Sequence, residues 1–245
     1  MQKQLPYQPK PNVGVPANSA KFPSFNTIGF PKTINDWDQY NVRIDHHLTS
    51  NDLLYGTFSD SNESLFKPAL RPLGGDVFPQ TDRLYTLTYT RIVSPTMVNE
   101  FRFGYNRSLT YRQAETSLTQ DYAKDVFGLK NTSPNPFDFG VPNFNPSGFS
   151  GVGSLSEAIG ATDRNIQFTD NFSWTTRRHN IRIGLTISRQ LYDEITDFSG
   201  NPTFMFDGRY TGMQGLGLAD MLLGLPISAS LNAPIPETRF GVFRM

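Results

Sequence analysis

The residues best equipped for chemistry are few, and their spacing counts against each of them. His46-His47 beside Asp45 brings two imidazoles and a carboxylate together, the raw material of a metal site. Neighbours on a strand point to opposite faces, so the two rings diverge and read as polar residues beside a turn. Asp193-Glu194, with Asp197 nearby, has the composition of an acid–base pair or a cation site. At the end of an apolar alternation, those carboxylates read as a solvated strand terminus. The glycines of GMQGLGLAD (212–220) lack a strand–GxGxxG–helix setting and a following Lys-Ser/Thr, so they do not make a phosphate loop. No GxSxG elbow is present. We expect no enzyme, and no catalytic, cofactor-binding or metal-binding residue. Asn135-Pro136-Phe137-Asp138-Phe139 and Asn143-Phe144 combine rings with amides, which suits sugar or peptide contact or packing within the loop itself.

Composition narrows the classes further. The 245 residues hold 22 basic and 22 acidic side chains, a formal net charge of zero, so no global field recruits nucleic acid. Cysteine is absent, which excludes disulfides and thiolate metal sites. Twenty Phe and ten Tyr raise the aromatic share to 13% while hydrophobic residues stay at 37%, a balance that favours strands over helices. No run approaches the roughly 18 apolar residues of a spanning helix. The opening residues, 1–16, are polar and proline-rich, without the apolar centre of a signal peptide.

What positions these side chains is a series of hairpins. Residues 1–38 read as loop or extended chain. From Tyr40 the chain alternates strictly: Tyr40, Val42 and Ile44 against Asn41, Arg43 and Asp45. A polar turn at 49–52 leads to a return strand over 53–60. The spacing predicts a long loop over 61–82, then strands at 83–93 and 97–109 joined at Ser94-Pro95-Thr96. Residues 111–163 read as loop, with a short helix at 121–129. The clearest hairpin is 164–176 with 181–192, turned at 177–180. The tail predicts a short strand at 203–207, a helical turn at 218–223 and one or two strands within 227–244.

Turns within hairpins are about three to five residues, whereas connections between them run to twenty or fifty. Membrane barrels have this asymmetry, with short periplasmic turns and long external loops. Strands of 9–13 residues also suit the roughly 9–11 needed to cross hydrocarbon at a tilt. In lipid all backbone polar groups must be paired between strands, which demands a closed barrel. Arg43, Asp45, Glu100, Arg102 and Arg182 then line a wet interior; Tyr40, Phe101, Tyr105, Phe168 and Trp174 face lipid or its aromatic girdles. The expected fold is all-β, an antiparallel transmembrane barrel wall of about seven or eight strands, with partial-barrel limits 39–245. A soluble β-sandwich that binds carbohydrate or another ligand is the alternative, and a passive porin-like barrel a third.

DQYNVRIDHHLTSNDLLYGTFSDS (38–61) resembles a recurrent hairpin of TonB-dependent outer-membrane transporters of the Oar-like kind, where "QYNVRxDH" leads through a polar turn into "DxLxGxYS". RIVSPTMVNEFRFGYNRS (91–108), NFSWTTRRHNIRIGLTISRQ (171–190) and GLADMLLGLP (217–226) resemble later parts of the same barrel, in the same order. The resemblance covers most of 38–226. It implies energy-coupled passage of a solute across the outer membrane, with lipid around the wall and no cofactor. It also implies an N-terminal plug and a periplasmic segment that engages the TonB system. Neither is recognisable here, and the strands make about a third of the roughly 22 in a plugged barrel. The chain is therefore expected to be a fragment, coupled to TonB through a missing N-terminal part.

Overall fold

The computed structural model describes residues 3–8, 10, 12, 27–154, 158–197, 200–232 and 238–244. In chain order the strands are β1 (Ile34–His47), β2 (Asp52–Lys67), β3 (Asp76–Ser94), β4 (Met97–Ala114), β5 (Asn143–Pro146), β6 (Ala158–Thr175), β7 (Asn180–Asp197), β8 (Thr203–Phe206), β9 (Ser228–Ser230) and β10 (Thr238–Arg244), with one helix, α1 (Leu218–Leu223), between β8 and β9. Seven of them form one antiparallel sheet in the order β1-β2-β3-β4-β6-β7-β10, which is not closed on itself. β5, β8 and β9 form a small second sheet, β5 parallel to β8.

The three hairpins stand where alternation places them, but their arms are longer than expected. β3 has 19 residues and β4, β6 and β7 have 18 each. The loop expected over 61–82 is a correction: β2 runs on to Lys67, β3 starts at Asp76, and only 68–75 turns the chain. Pro79, within that expected loop, sits inside β3 opposite Ser64. The β3–β4 ladder lapses at Phe78 and Pro79, between the Val77 and Gln80 pairs, because proline has no N–H to give. The loop expected over 111–163 shrinks to 115–157 in the same way, with a five-residue helical turn at Tyr122–Val126 inside the stretch expected to be helical. β8 and α1 fall where the tail predicts them, and β9 and β10 supply its strands. β1 starts four residues before residue 38.

Periodicity becomes surface through the register. One face carries Val42, Phe58, Tyr85, Tyr105 and Ile166 in a single cross-strand row; the next row towards the short turns carries Ile44, Leu87, Phe103, Phe168 and Ile187. No second sheet covers these side chains: Ile44 is 69% exposed, Ile183 65% and Phe168 43%. A sandwich buries such a face, so the sandwich alternative is overturned.

Buried apolar side chains lie elsewhere. Among the described residues they are Ala114, Ala123, Val141, Val152, Ala158, Phe206 and Met221, all at the outer strand ends or in the long loops. The segments 115–154 and 200–227 fold together there as a cap. Phe144 stacks on Phe204 with ring centres 5.3 Å apart, and Phe127 packs on Phe144 at 5.2 Å. Near the start of the chain, Gln4 donates to the Met221 carbonyl at 3.2 Å and Tyr7 meets Tyr122 edge-on, so residues 3–8 belong to this cap as well. Tyr7's hydroxyl is pushed above its ordinary range by burial first and by Tyr122 second.

Candidate functional site

The face opposite the exposed apolar rows is mostly polar from β1 to β7, and turns apolar at the β10 edge with Phe240 and Val242. Arg43, Thr57, Thr86, Gly104, Gln167 and Ser188 form one row; Asp45, Tyr55, Thr88, Arg102, Thr169 and Thr186 form the next. Its members satisfy one another. Arg43 donates two bonds to Asp45, at 2.8 and 2.7 Å, and its guanidinium lies 4.3 Å from the centre of the Tyr55 ring. Arg102 reaches Glu100 at 2.8 Å. Thr57 bonds Thr86 at 2.5 Å and Thr169 bonds Thr186 at 3.1 Å, so hydroxyls bridge adjacent strands.

This face is hollow. A depression of about 590 Å³ extends from Tyr55 on β2 to Thr186 on β7, and every residue lining it belongs to β2, β3, β4, β6 or β7. A depression shared by five neighbouring strands places the polar face on the inside of the curve. Gly104 lies in its lining, and a Cβ there would meet nothing within 4 Å. Charges expected to point inwards do so: Arg43, Asp45, Glu100, Arg102 and Arg182 all occupy polar-face positions.

The candidates for chemistry come apart. His46 pairs with Leu54 and His47 with Leu53, on opposite faces. Asp193 and Glu194 also point apart. Asp193 is 7% exposed and ion-paired with Arg164 and Arg239, whereas Glu194 accepts a bond from the Thr196 hydroxyl at 3.0 Å. The solvated strand end expected at Asp193 is a correction: β7 continues to Asp197, whose side chain lies outside the described ones, and Asp193 is a buried tie across three strands.

The glycines of 212–220 make turns. Gly212 and Gly215 take positive φ of 74° and 87°, and the buried Asp220 carboxylate accepts from Thr211 N at 3.0 Å, Tyr210 N at 3.3 Å and the Thr211 hydroxyl at 2.7 Å. In the aromatic–amide loop, Asp138 is buried and bonded by Ser133, and Phe137 stacks on Tyr111 of β4 at 5.2 Å. Much of that loop is therefore self-packed. A cap pocket of about 350 Å³ is lined by Phe127, Phe144, Phe204 and Met221, with Lys3 beside them. Alternation gave no hint of this pocket, because its rings come from segments far apart in sequence, around 127, 144 and 204.

An antiparallel wall with a largely apolar outer face, interrupted by the hydrogen-bonded Asn99 and Asp170, a polar hollow inner face, short turns at one end and a cap at the other defines the class: a transmembrane β-barrel wall. A family model described as an outer membrane beta barrel domain matches residues 1–244, and the chain belongs to that family. Its place is the outer membrane. No curated protein and no solved structure matches the chain.

Proposed function

We propose that the chain forms part of the barrel of an energy-coupled outer-membrane transporter of the TonB-dependent, Oar-like kind, and that it acts by passage of a solute rather than by catalysis. The lining carries the idea of passage. Hydroxyls, amides and Arg102 share the hollow with Leu84, Phe103 and Tyr105, a surface that stays hydrated and offers a solute weak, exchangeable bonds. Energy coupling rests on the resemblance of 38–61, 91–108, 171–190 and 217–226 to such transporters. In this reading the TonB system acts through a plug-bearing segment outside these residues.

A passive porin-like barrel is the second reading. The observation in its favour is that wall strands alone line the hollow. Conductance of the full gene product in a planar bilayer separates the two. A plugged transporter stays closed until denaturant loosens the plug, whereas steady open conductance under native conditions rejects coupling and leaves the porin. Gly104→Trp sharpens the test. Its side chain enters open space at an extended backbone position, so the barrel folds while the open-state conductance falls. Unchanged conductance would remove the hollow from the path.

A further inference from the structure

The outer, apolar face ends abruptly at a line of arginines. One row outward from Tyr85, Tyr105 and Ile166, the cross-strand neighbours are Arg83, Arg107 and Arg164, with Asp60 and Leu191 on either side. Arg189 lies one row inward, opposite Ile166, and Arg239 one row outward, opposite Asp193. Like charges directly opposite on adjacent strands repel, and their Cβ atoms stand only about 5 Å apart. Two acids temper the line at its ends. Asp60 takes Arg83 at 3.2 Å, and Asp193 takes Arg164 and Arg239. Among the described residues no acidic group bonds Arg107 or Arg189. The buried Nε of Arg164 also has no acceptor. With Asp38 at the β1 end of the outward row, five cations face three anions here, on a surface that water and lipid share.

Position supplies the rest of the argument. From Trp174 back to Ile166, β6 spans nine residues, about 20 Å of height at 3.3 Å per residue and a barrel tilt. That is close to the apolar band of a membrane barrel, so the arginines fall at headgroup level on the side of the long loops, the external side. Guanidinium groups bind phosphate through paired N–H donors, better than any other side chain. We propose that the Arg83–Arg107–Arg164 line holds the phosphorylated headgroup of an outer-leaflet glycolipid. Arg107 is the central donor and Arg189 reaches up from below. The proposal rests on which face meets lipid, and is independent of how or whether a solute is transported.

The full gene product, folded in dodecyl maltoside micelles, should retain a diphosphorylated glucosamine lipid (lipid A) on native mass spectrometry and release it at high salt. The same lipid stripped of its phosphates should not be retained. Arg83→Gln/Arg107→Gln/Arg164→Gln should weaken retention about a hundredfold, and Arg107→Gln alone, which leaves every acid paired, about fivefold. Arg43→Gln/Arg182→Gln on the inner face should retain lipid as wild type does. Equal retention of the phosphate-free lipid overturns the proposal. So does undiminished retention by Arg107→Gln, or saturation with inorganic phosphate at millimolar concentration without lipid retention.

Discussion

The wall and the cap solve the problem of burial in opposite ways. The wall leaves Ile44, Phe168 and Ile183 uncovered and relies on surrounding acyl chains to remove them from water. Its backbone is held by ladder bonds, repeated along 14- to 19-residue arms. The cap has little regular structure, yet it contains the fully buried Met221, Val141 and Val152. Its backbone is held by single buried polar side chains. Ser154 is the clearest: its hydroxyl donates to the Leu73 carbonyl at 2.8 Å and accepts from Val141 N at 3.0 Å, joining the 68–75 turn to the 115–157 loop. One region is thus stabilised by its solvent and the other by its own interior, and they should fail independently.

The largest effect should come from a charge on the wall's outer face. Phe168→Arg places a cation in the middle of the apolar band and should cost about 2–4 kcal/mol in folding into lipid, measured by denaturant titration in vesicles. Thr169→Arg, one residue on and facing the hollow, should cost far less. Equal losses would mean that the two faces have been assigned to the wrong environments.

In the cap, Asp220→Ala removes three acceptor bonds and leaves the Tyr210 and Thr211 N–H groups unpaired inside, at a cost of about 1–3 kcal/mol. Protease cleavage within 207–217 should accelerate while heat-modifiable gel migration of the wall stays normal. A loss of both signals together would erase the claimed independence.

The smallest effect is a pH response. Side-chain hydrogen bonds from Arg209, first of several contributions, hold the Asp207 carboxyl below its ordinary value and raise Arg209 in turn. A depressed folded value adds stability above the unfolded pKa, about 3.9, and that contribution disappears as pH falls through the lower folded value. The protection of the 207–217 turn amides, their exchange rate relative to the intrinsic rate at each pH, should therefore be flat from neutral pH to about 5 and drop only in stronger acid. Asp207→Asn should abolish the acid step.

Much of the wall was legible because its side chains obey one local rule. Tyr40 to Ile44, Tyr85 to Tyr89 and Ile181 to Ile187 declare their faces through a period of two. Above the membrane both faces are wet, so the alternation weakens, and Pro79 and Asn62 look like loop although they sit in β3 and β2. The cap was illegible for a different reason. Ser154, Asn201 and Asp220 are ordinary polar residues in sequence, and only long-range folding turns them into buried ties. The arginine line needs register as well: Arg83, Arg107 and Arg164 are far apart in sequence and become neighbours across β3, β4 and β6.

Strands that outrun the bilayer also decide what the outside world encounters. From Arg107 to Ala114 β4 climbs seven more residues, roughly 23 Å along its axis, before the cap begins. An antibody or a phage tail arriving from the medium would reach the exposed Lys130 and Asn131 without touching the bilayer. A tag inserted there should be displayed on intact cells, whereas one inserted between Met97 and Tyr105 should stay silent.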